Sequence, residues 1–213
     1  MFQDDLDDSA FDAELNNDVR RLKQSWLNEK NAPEILQFES ELVKDLTDNV
    51  QTQIRQLSEI QSSDVMTAFA NNLKRMEYDR LLFVIRSYLR TRLTKIQRHA
   101  MYILSSAEMR QRLSPEELRF THSYVTLSEQ HYSNSCLHDF PEMIQRLDEK
   151  GMIPEPDLQT HVFCKVMEDV GDVEIERADV SGVNSVTLLK GDQFLLRYEP
   201  IRPLVANGSV VLL

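Results

Sequence analysis

Apolar residues along this chain recur first at helical spacing and then, past residue 157, at strand spacing. Val19, Leu22 and Trp26 share a face from Asp18 onward, and Asn31-Ala32-Pro33 ends that helix because proline cannot continue the hydrogen-bond ladder. Val43, Leu46, Val50, Ile54, Leu57 and Ile60 follow at three- and four-residue steps, which predicts an amphipathic second helix with one buried stripe. Asp64 can cap a third helix, in which Met66, Phe69, Leu73, Met76, Leu82, Ile85, Leu89, Leu93 and Ile96 keep helical register without Gly or Pro before Pro115. A helix of about 37 residues would extend roughly 55 Å, more than the roughly 45 Å diameter of a compact globule of this length. Its middle, Leu81-Leu82-Phe83-Val84-Ile85, is apolar over more than one face. The expectation is therefore that the helix bends back or that partner helices complete the bundle.

Ser114-Pro115-Glu116-Glu117 opens a fourth helix with Ser as cap, Pro at the first position and Glu at the capping-box position. Its pattern of Leu118, Val125, Tyr132 and Cys136 runs toward Pro141. Beyond it, 141–157 read as a linker around Lys150-Gly151-Met152-Ile153-Pro154-Glu155-Pro156. Val162/Cys164/Val166, Val173/Ile175 and Phe194/Leu196/Tyr198 then alternate with polar neighbours, the period-two signature of strands. Lys190-Gly191-Asp192 is expected to join 186–189 to 194–198 as a hairpin, and Asn207-Gly208 to turn the chain into a last strand at 209–213. The predicted fold class is α+β: an all-α bundle of about four helices, one very long, over 18–140, then a small β-rich domain over 158–213. So small a unit buries only about 60% of its unfolded surface and is expected to dock on something.

Charge changes this picture at two places. Residues 1–18 hold seven acidic and no basic residues, so the remainder carries only −4 of the net −11. With few large apolar residues, 1–17 are expected to form a disordered acidic tail. Conversely, Lys74, Arg75, Arg80, Arg86, Arg90, Arg92, Lys95 and Arg98 face only Glu77 and Asp79 over 74–98. Such an excess suits carboxylates on neighbouring helices, or, as an alternative function, phosphates of a nucleic acid. No aromatic platform interleaves it, which disfavours single strands.

Catalytic signatures are weak. Five glycines, none in GxGxxG or GxxxxGK spacing, give no phosphate-cradling loop. His131, Cys136 and His138 lack the paired short spacing of a zinc site. His138-Asp139 are adjacent, a spacing expected to point the two side chains apart, and no nucleophile elbow is present. Cys136 and Cys164 are expected as reduced thiols in packed sites. Acidic charge at the N-terminus does not suit a signal peptide, and no apolar run is long enough for a membrane span, so an intracellular, soluble protein without cofactors is expected.

Several stretches, in order, resemble the Sld-five family of GINS, the four-subunit complex of eukaryotic DNA replication. They are Trp26-Leu27-Asn28-Glu29-Lys30-Asn31-Ala32-Pro33-Glu34-Ile35-Leu36, Met76-Glu77-Tyr78-Asp79-Arg80, Ile85-Arg86-Ser87-Tyr88-Leu89-Arg90-Thr91-Arg92-Leu93, Leu113-Ser114-Pro115-Glu116-Glu117-Leu118, Leu196-Arg197-Tyr198 and Pro203-Leu204-Val205-Ala206-Asn207-Gly208. The resemblance implies a non-catalytic, nuclear subunit that assembles with three other GINS subunits. It also implies that the tetramer joins the minichromosome maintenance ring to its RecJ-like partner in the active helicase and links it to polymerases. Trp26, Val43, Leu46, Val50, Ile54, Leu57 and Phe83 would then be bundle and interface positions, and Arg86, Arg90 and Arg92 would pair charge within or across subunits. In the tail, Phe11, Ala13, Glu14 and Leu15 could form a short turn that docks on a replisome adaptor.

Overall fold

The computed structural model describes residues 4–59, 65–141, 152–176 and 183–213, with the side chains of 4–15, 175–176 and 183–184 outside the described set. Ile60, the cap Asp64, most of the 141–157 linker, and the side chains of Phe11, Ala13, Glu14 and Leu15 therefore lie outside the described residues. Helices come first and strands second, except that one further helix lies between the last two strands. The chain divides into two compact units, and the division falls within two of the helices.

One unit comprises Met1–Leu27 and Glu39–Arg90. Helix α1 spans Asp4–Asn31, so the backbone is helical well before Asp18 and the expected disordered tail is corrected over 4–17. No Gly or Pro occurs before Pro33, and carboxylates near a helix N-terminus interact favourably with its dipole. Helix α2, Ser40–Glu59, buries Leu42, Val43, Leu46 and Val50, whereas Ile54 and Leu57 at the far end of the same stripe are half-buried. Helix α3, Val65–Ser105, contributes Val84, Ile85 and Tyr88 to this unit's buried set, which also includes Leu22. Phe83, immediately before Val84 in sequence, is 63% exposed.

The other unit comprises Asn28–Phe38 and Thr91–Leu213. Here α3 is broken at His99 (φ −119°, ψ 26°), whose Nδ1 lies 2.9 Å from the Pro154 carbonyl oxygen. A short helix α4, Ala107–Gln111, is capped by Ser106 and buries Met109; five residues are too few to show periodicity in the sequence. Helix α5, Pro115–Ser135, opens with both bonds of the expected capping box, Glu117 N–H to Ser114 Oγ at 3.1 Å and Ser114 N–H to Glu117 Oε2 at 2.9 Å. A single 3₁₀ turn, Leu137–Asp139, follows.

Strands β1 (His161–Val166), β2 (Gly171–Glu176), β3 (Val183–Leu188), β4 (Gln193–Arg197) and β5 (Val210–Leu212) form two antiparallel sheets, β4-β1-β5 and β2-β3. This corrects the expected 186–198 hairpin. The turn exists, with Gly191 at φ +95° and Asp192 N–H bonded to Leu189 O, but the strands it joins belong to different sheets. Turn chemistry signals a reversal of direction and does not specify which strand is the neighbour. Tyr198 also does not extend β4. It begins α6, Tyr198–Ala206, because Pro200 falls in the first helical turn, where no N–H is needed, and would interrupt a ladder. Asn207-Gly208 ends this helix as expected of a turn, with Gly208 at φ +83°. The inward face of the three-stranded sheet, Val162, Cys164, Val166, Leu196, Val210 and Leu212, packs with Leu188, Tyr198, Ile201 and Val205. Burial pushes the Cys164 thiol up, whereas Cys136 is exposed, contrary to the packed site expected for it.

Replacing Ser114 with Ala should cost about 1 kcal/mol, the usual value of an N-cap, lowering the midpoint of urea unfolding followed by circular dichroism. No shift in that midpoint would mean that α5 does not depend on its cap.

Candidate functional site: a buried charge network

Pro33 stops α1 and sends Glu34 through Phe38 onward in non-helical conformation, leaving backbone groups that must find partners. Arg92 in α3 meets this need. Its side chain is fully buried, as is that of Glu29 in the last turns of α1. Nε and Nη2 donate to the two oxygens of Glu117 at 2.7 and 2.9 Å. Nη1 donates to Glu29 Oε2 at 3.0 Å and to the Leu36 carbonyl at 2.8 Å, and Nη2 donates to the Arg112 carbonyl at 3.0 Å. These bonds use all five N–H donors of the guanidinium, which only arginine can present in this fork. The Phe38 ring lies 5.1 Å from the guanidinium carbon.

One helical turn on, Lys95 donates to Glu29 Oε1 at 2.9 Å and to the Glu34 carbonyl at 2.8 Å, and also reaches the Glu29 carbonyl. Burial lowers its pKa, against the raising effect of Glu29. Glu34, 2% exposed, is the second centre. Its Oε1 accepts from Tyr198 Oη at 3.0 Å and Arg202 Nε at 2.6 Å, and its Oε2 accepts from Arg202 Nη2 at 2.8 Å and lies 3.0 Å from Arg112 Nη1. Tyr198 and Arg202 are four residues apart and so share a face of α6. The bonds to Glu34 hold Arg202 above its ordinary pKa, and burial, then Glu34, raises the Tyr198 phenol well above the usual tyrosine range.

The network balances charge, because Arg92, Lys95, Arg112 and Arg202 meet Glu29, Glu34, Glu108 and Glu117. Its chemistry is positional. Each centre is saturated by fixed partners, so the groups serve to hold 28–38 against α3, the α4–α5 corner and α6. Of the two roles expected for Arg92, pairing within the chain is the one this geometry gives, and its side chain has no exposed surface with which to meet a neighbour. Val43, Leu46 and Val50 are likewise core, Trp26 is half-buried, and Arg86, Arg90 and Phe83 are exposed. Glu29, Glu34, Arg112 and Arg202 escaped the sequence analysis. The nearest available signal was the basic stretch itself, in which Arg92 and Lys95 stand three residues apart, one helical turn, beside Leu93 and Ile96.

Elsewhere, His138 Nε2 and Asp139 Oδ1 approach to 3.1 Å at the surface, so these neighbours do meet, because a 3₁₀ turn rather than an α-helix carries them. Arg80 pairs with Glu77 at 2.9 Å on an exposed helix face. Among the described residues, no group of three His, Cys, Asp or Glu converges as a metal site would require. A concavity of about 330 Å³ is lined by Met101, Tyr124, Val125, Tyr132 and Met152, with Arg98 its charged residue. That lining carries no carboxylate, histidine or cysteine.

Arg92→Lys should destabilise the chain by about 3–5 kcal/mol in urea unfolding, because an ammonium leaves buried carboxylate and carbonyl acceptors unmatched. A loss no larger than that of Ser114→Ala would contradict this account. For Tyr198, a folded-state pKa above the unfolded one gives stability that is fully present below the unfolded value, about 10, and is lost as pH rises through the folded value. The thermal midpoint should accordingly fall more steeply above about pH 10 in the wild type than in Tyr198→Phe. Parallel curves would show that the phenol is not held protonated.

Comparison with known proteins places these elements in context. The GINS complex protein helical bundle domain matches residues 26–135, and the C-terminus of the DNA replication complex GINS protein SLD5 matches residues 156–213. Among curated proteins, DNA replication complex GINS protein SLD5 of Rattus norvegicus is 35% identical over 201 residues, covering 92% of this chain and 88% of the relative. The protein of that name from Homo sapiens is 33% identical over the same coverage. That of Schizosaccharomyces pombe is 34% identical over 215 residues, covering 98% of this chain and 99% of its own. With both of its regions matched and its relatives aligned nearly end to end, the chain belongs to the SLD5 family of GINS proteins.

Proposed function

We propose that this chain acts as a non-catalytic scaffold of the GINS complex in DNA replication, seating partner helices on the N-terminal half of α3. Membership of the family makes it a GINS subunit in the replicative helicase machinery. The observation that carries the interface is an apolar ridge: Met66, Phe69, Leu73, Met76 and Phe83 are 73%, 60%, 49%, 62% and 63% exposed. Met66, Phe69, Leu73 and Met76 alternate steps of three and four residues, Arg80 takes the next position, and Phe83 resumes the series. That is the spacing of a helix–helix seam, in which side chains of one helix fit between those of another. A monomer in water rarely exposes such a stripe, whereas a subunit buries it on assembly.

Through this assembly the chain would join the minichromosome maintenance ring with its RecJ-like partner and connect them to polymerases, working in the nucleus. Domains at 18–140 and 158–213 would serve as the bundle and docking modules of that scaffold. Arg86 and Arg90, exposed beside the ridge, would supply charge pairing to the same partners. Binding of DNA through 74–98 is the competing function, and burial of Arg92 and Lys95 within the network takes two cations away from it.

Co-expression with the other three GINS subunits, followed by size-exclusion chromatography with light scattering, should yield a complex with one copy of each. Phe69→Asp with Phe83→Asp should weaken incorporation by roughly 30-fold or more, as for loss of interface anchors, while circular dichroism stays unchanged. A well-behaved monomer that ignores those subunits and binds DNA in a salt-dependent manner would replace the scaffold reading with the nucleic-acid one. Removal of residues 1–16 should leave assembly intact; loss of the complex would place the acidic segment within the assembly interface.

A further inference from the structure

The three-stranded sheet has two edges, and they are treated differently. At the β5 edge, Leu212 N–H is taken by Asn28 Oδ1 at 2.9 Å, so the outward row is blunted by a side chain. At the β4 edge the register leaves a row open. Tyr198 N–H bonds to Thr160 O and Val166 N–H to Asp192 O, and the intervening pairs Val162↔Leu196 and Cys164↔Phe194 share their phase. In an antiparallel ladder the alternate residues Gln193, Leu195 and Arg197 therefore direct N–H and C=O away from β1. Among the described residues, β4 has no second neighbouring strand to take up these groups.

The outward face beside that edge is apolar and cationic. Phe163 and Leu195 stand opposite each other in the register and are 63% and 53% exposed. Lys165 and Arg197 flank them on the same face, where the described positions of β1 and β4 include no carboxylate; Arg197 Nη1 donates to Gln159 Oε1 at 3.3 Å, and Gln159 in turn donates to the Glu199 carboxylate. A cationic patch of this kind within a chain of net charge −11 selects for an anionic ligand.

We propose that β4 is a strand-addition site for an extended segment of another protein, one carrying apolar side chains among Asp or Glu. The added strand would take up the outward groups of Gln193, Leu195 and Arg197, lay apolar side chains over Phe163 and Leu195, and place carboxylates near Lys165 and Arg197. A second copy fits less well, since edge-to-edge pairing of two β4 strands would bring the Lys165 and Arg197 cations of both sheets onto one surface.

The probe is a blocked peptide of about six residues built from valine and glutamate, matched to the usual length of a strand. It is titrated into the full chain co-purified with the other GINS subunits and followed by fluorescence anisotropy and amide hydrogen exchange. Binding should slow exchange at Gln193 and Leu195 and should be lost when alternate peptide nitrogens are methylated. A lysine-for-glutamate peptide should bind far more weakly. Leu195→Pro removes one outward N–H without touching the β1 pairing and should weaken binding roughly tenfold, whereas Leu195→Thr, which keeps it, should bind within about threefold. Four results would overturn the proposal: no binding, equal affinity of the methylated peptide, protection of Gln193 and Leu195 before peptide is added, or dimerisation through β4.

Discussion

A guanidinium excluded from water is tolerable only if every one of its donors is met, and Arg92 imposes that condition on the elements around it. Its five N–H groups fix where the last turns of α1 place Glu29, where the carbonyl of Leu36 passes, and where the α4–α5 corner presents Arg112 and Glu117. Glu117 is held twice, as the reciprocal half of the α5 cap and as the bidentate partner of Arg92. The start of α5 and its attachment to α3 are consequently one event. Buried ion pairs seldom add net stability over apolar packing of equal volume, because desolvation cancels much of the attraction. What they contribute is discrimination, since a slipped register would leave charges unmatched in a medium that cannot solvate them.

The network faces inward, while the surfaces suited to other proteins face outward, and different physics governs each. Inside, polar groups are saturated and immobile, which suits a subunit whose contribution is geometry. Outside, the α3 ridge offers bulky apolar side chains with helical spacing, and the β4 edge offers unmet backbone groups. A helix is recognised by the first and an extended strand by the second, so the two surfaces do not compete for one kind of ligand.

Much of the architecture was legible because it rests on periodicity and local chemistry. The Val43, Leu46, Val50 stripe, the Ser114 capping box and the Val162, Cys164, Val166 alternation each follow from residues within a few positions of one another. What escaped depends on residues far apart in the chain. Glu34 looks like an ordinary loop carboxylate until Tyr198 and Arg202 are brought to it, and Arg92 looks like one more surface cation in a basic stretch until Glu29 and Glu117 surround it. Pairing of β4 with β1 rather than β3 was hidden for the same reason, and α6 because a nine-residue helix holding Pro200 and Pro203 shows little helical signal of its own.

The stretch Asn28–Phe38 belongs with residues that begin only at Thr91, so this unit is assembled from chain made early and chain made late. Glu34 and Arg202 are separated by 168 residues. At a translation rate of 5–20 residues per second, the carboxylate waits roughly 10–30 s for that partner on the ribosome. The helices of the other unit, being local, can form in the interval. A nascent chain thus carries an unclosed loop whose acidic end stays solvated, and closing that loop costs an entropy that the local helices do not incur.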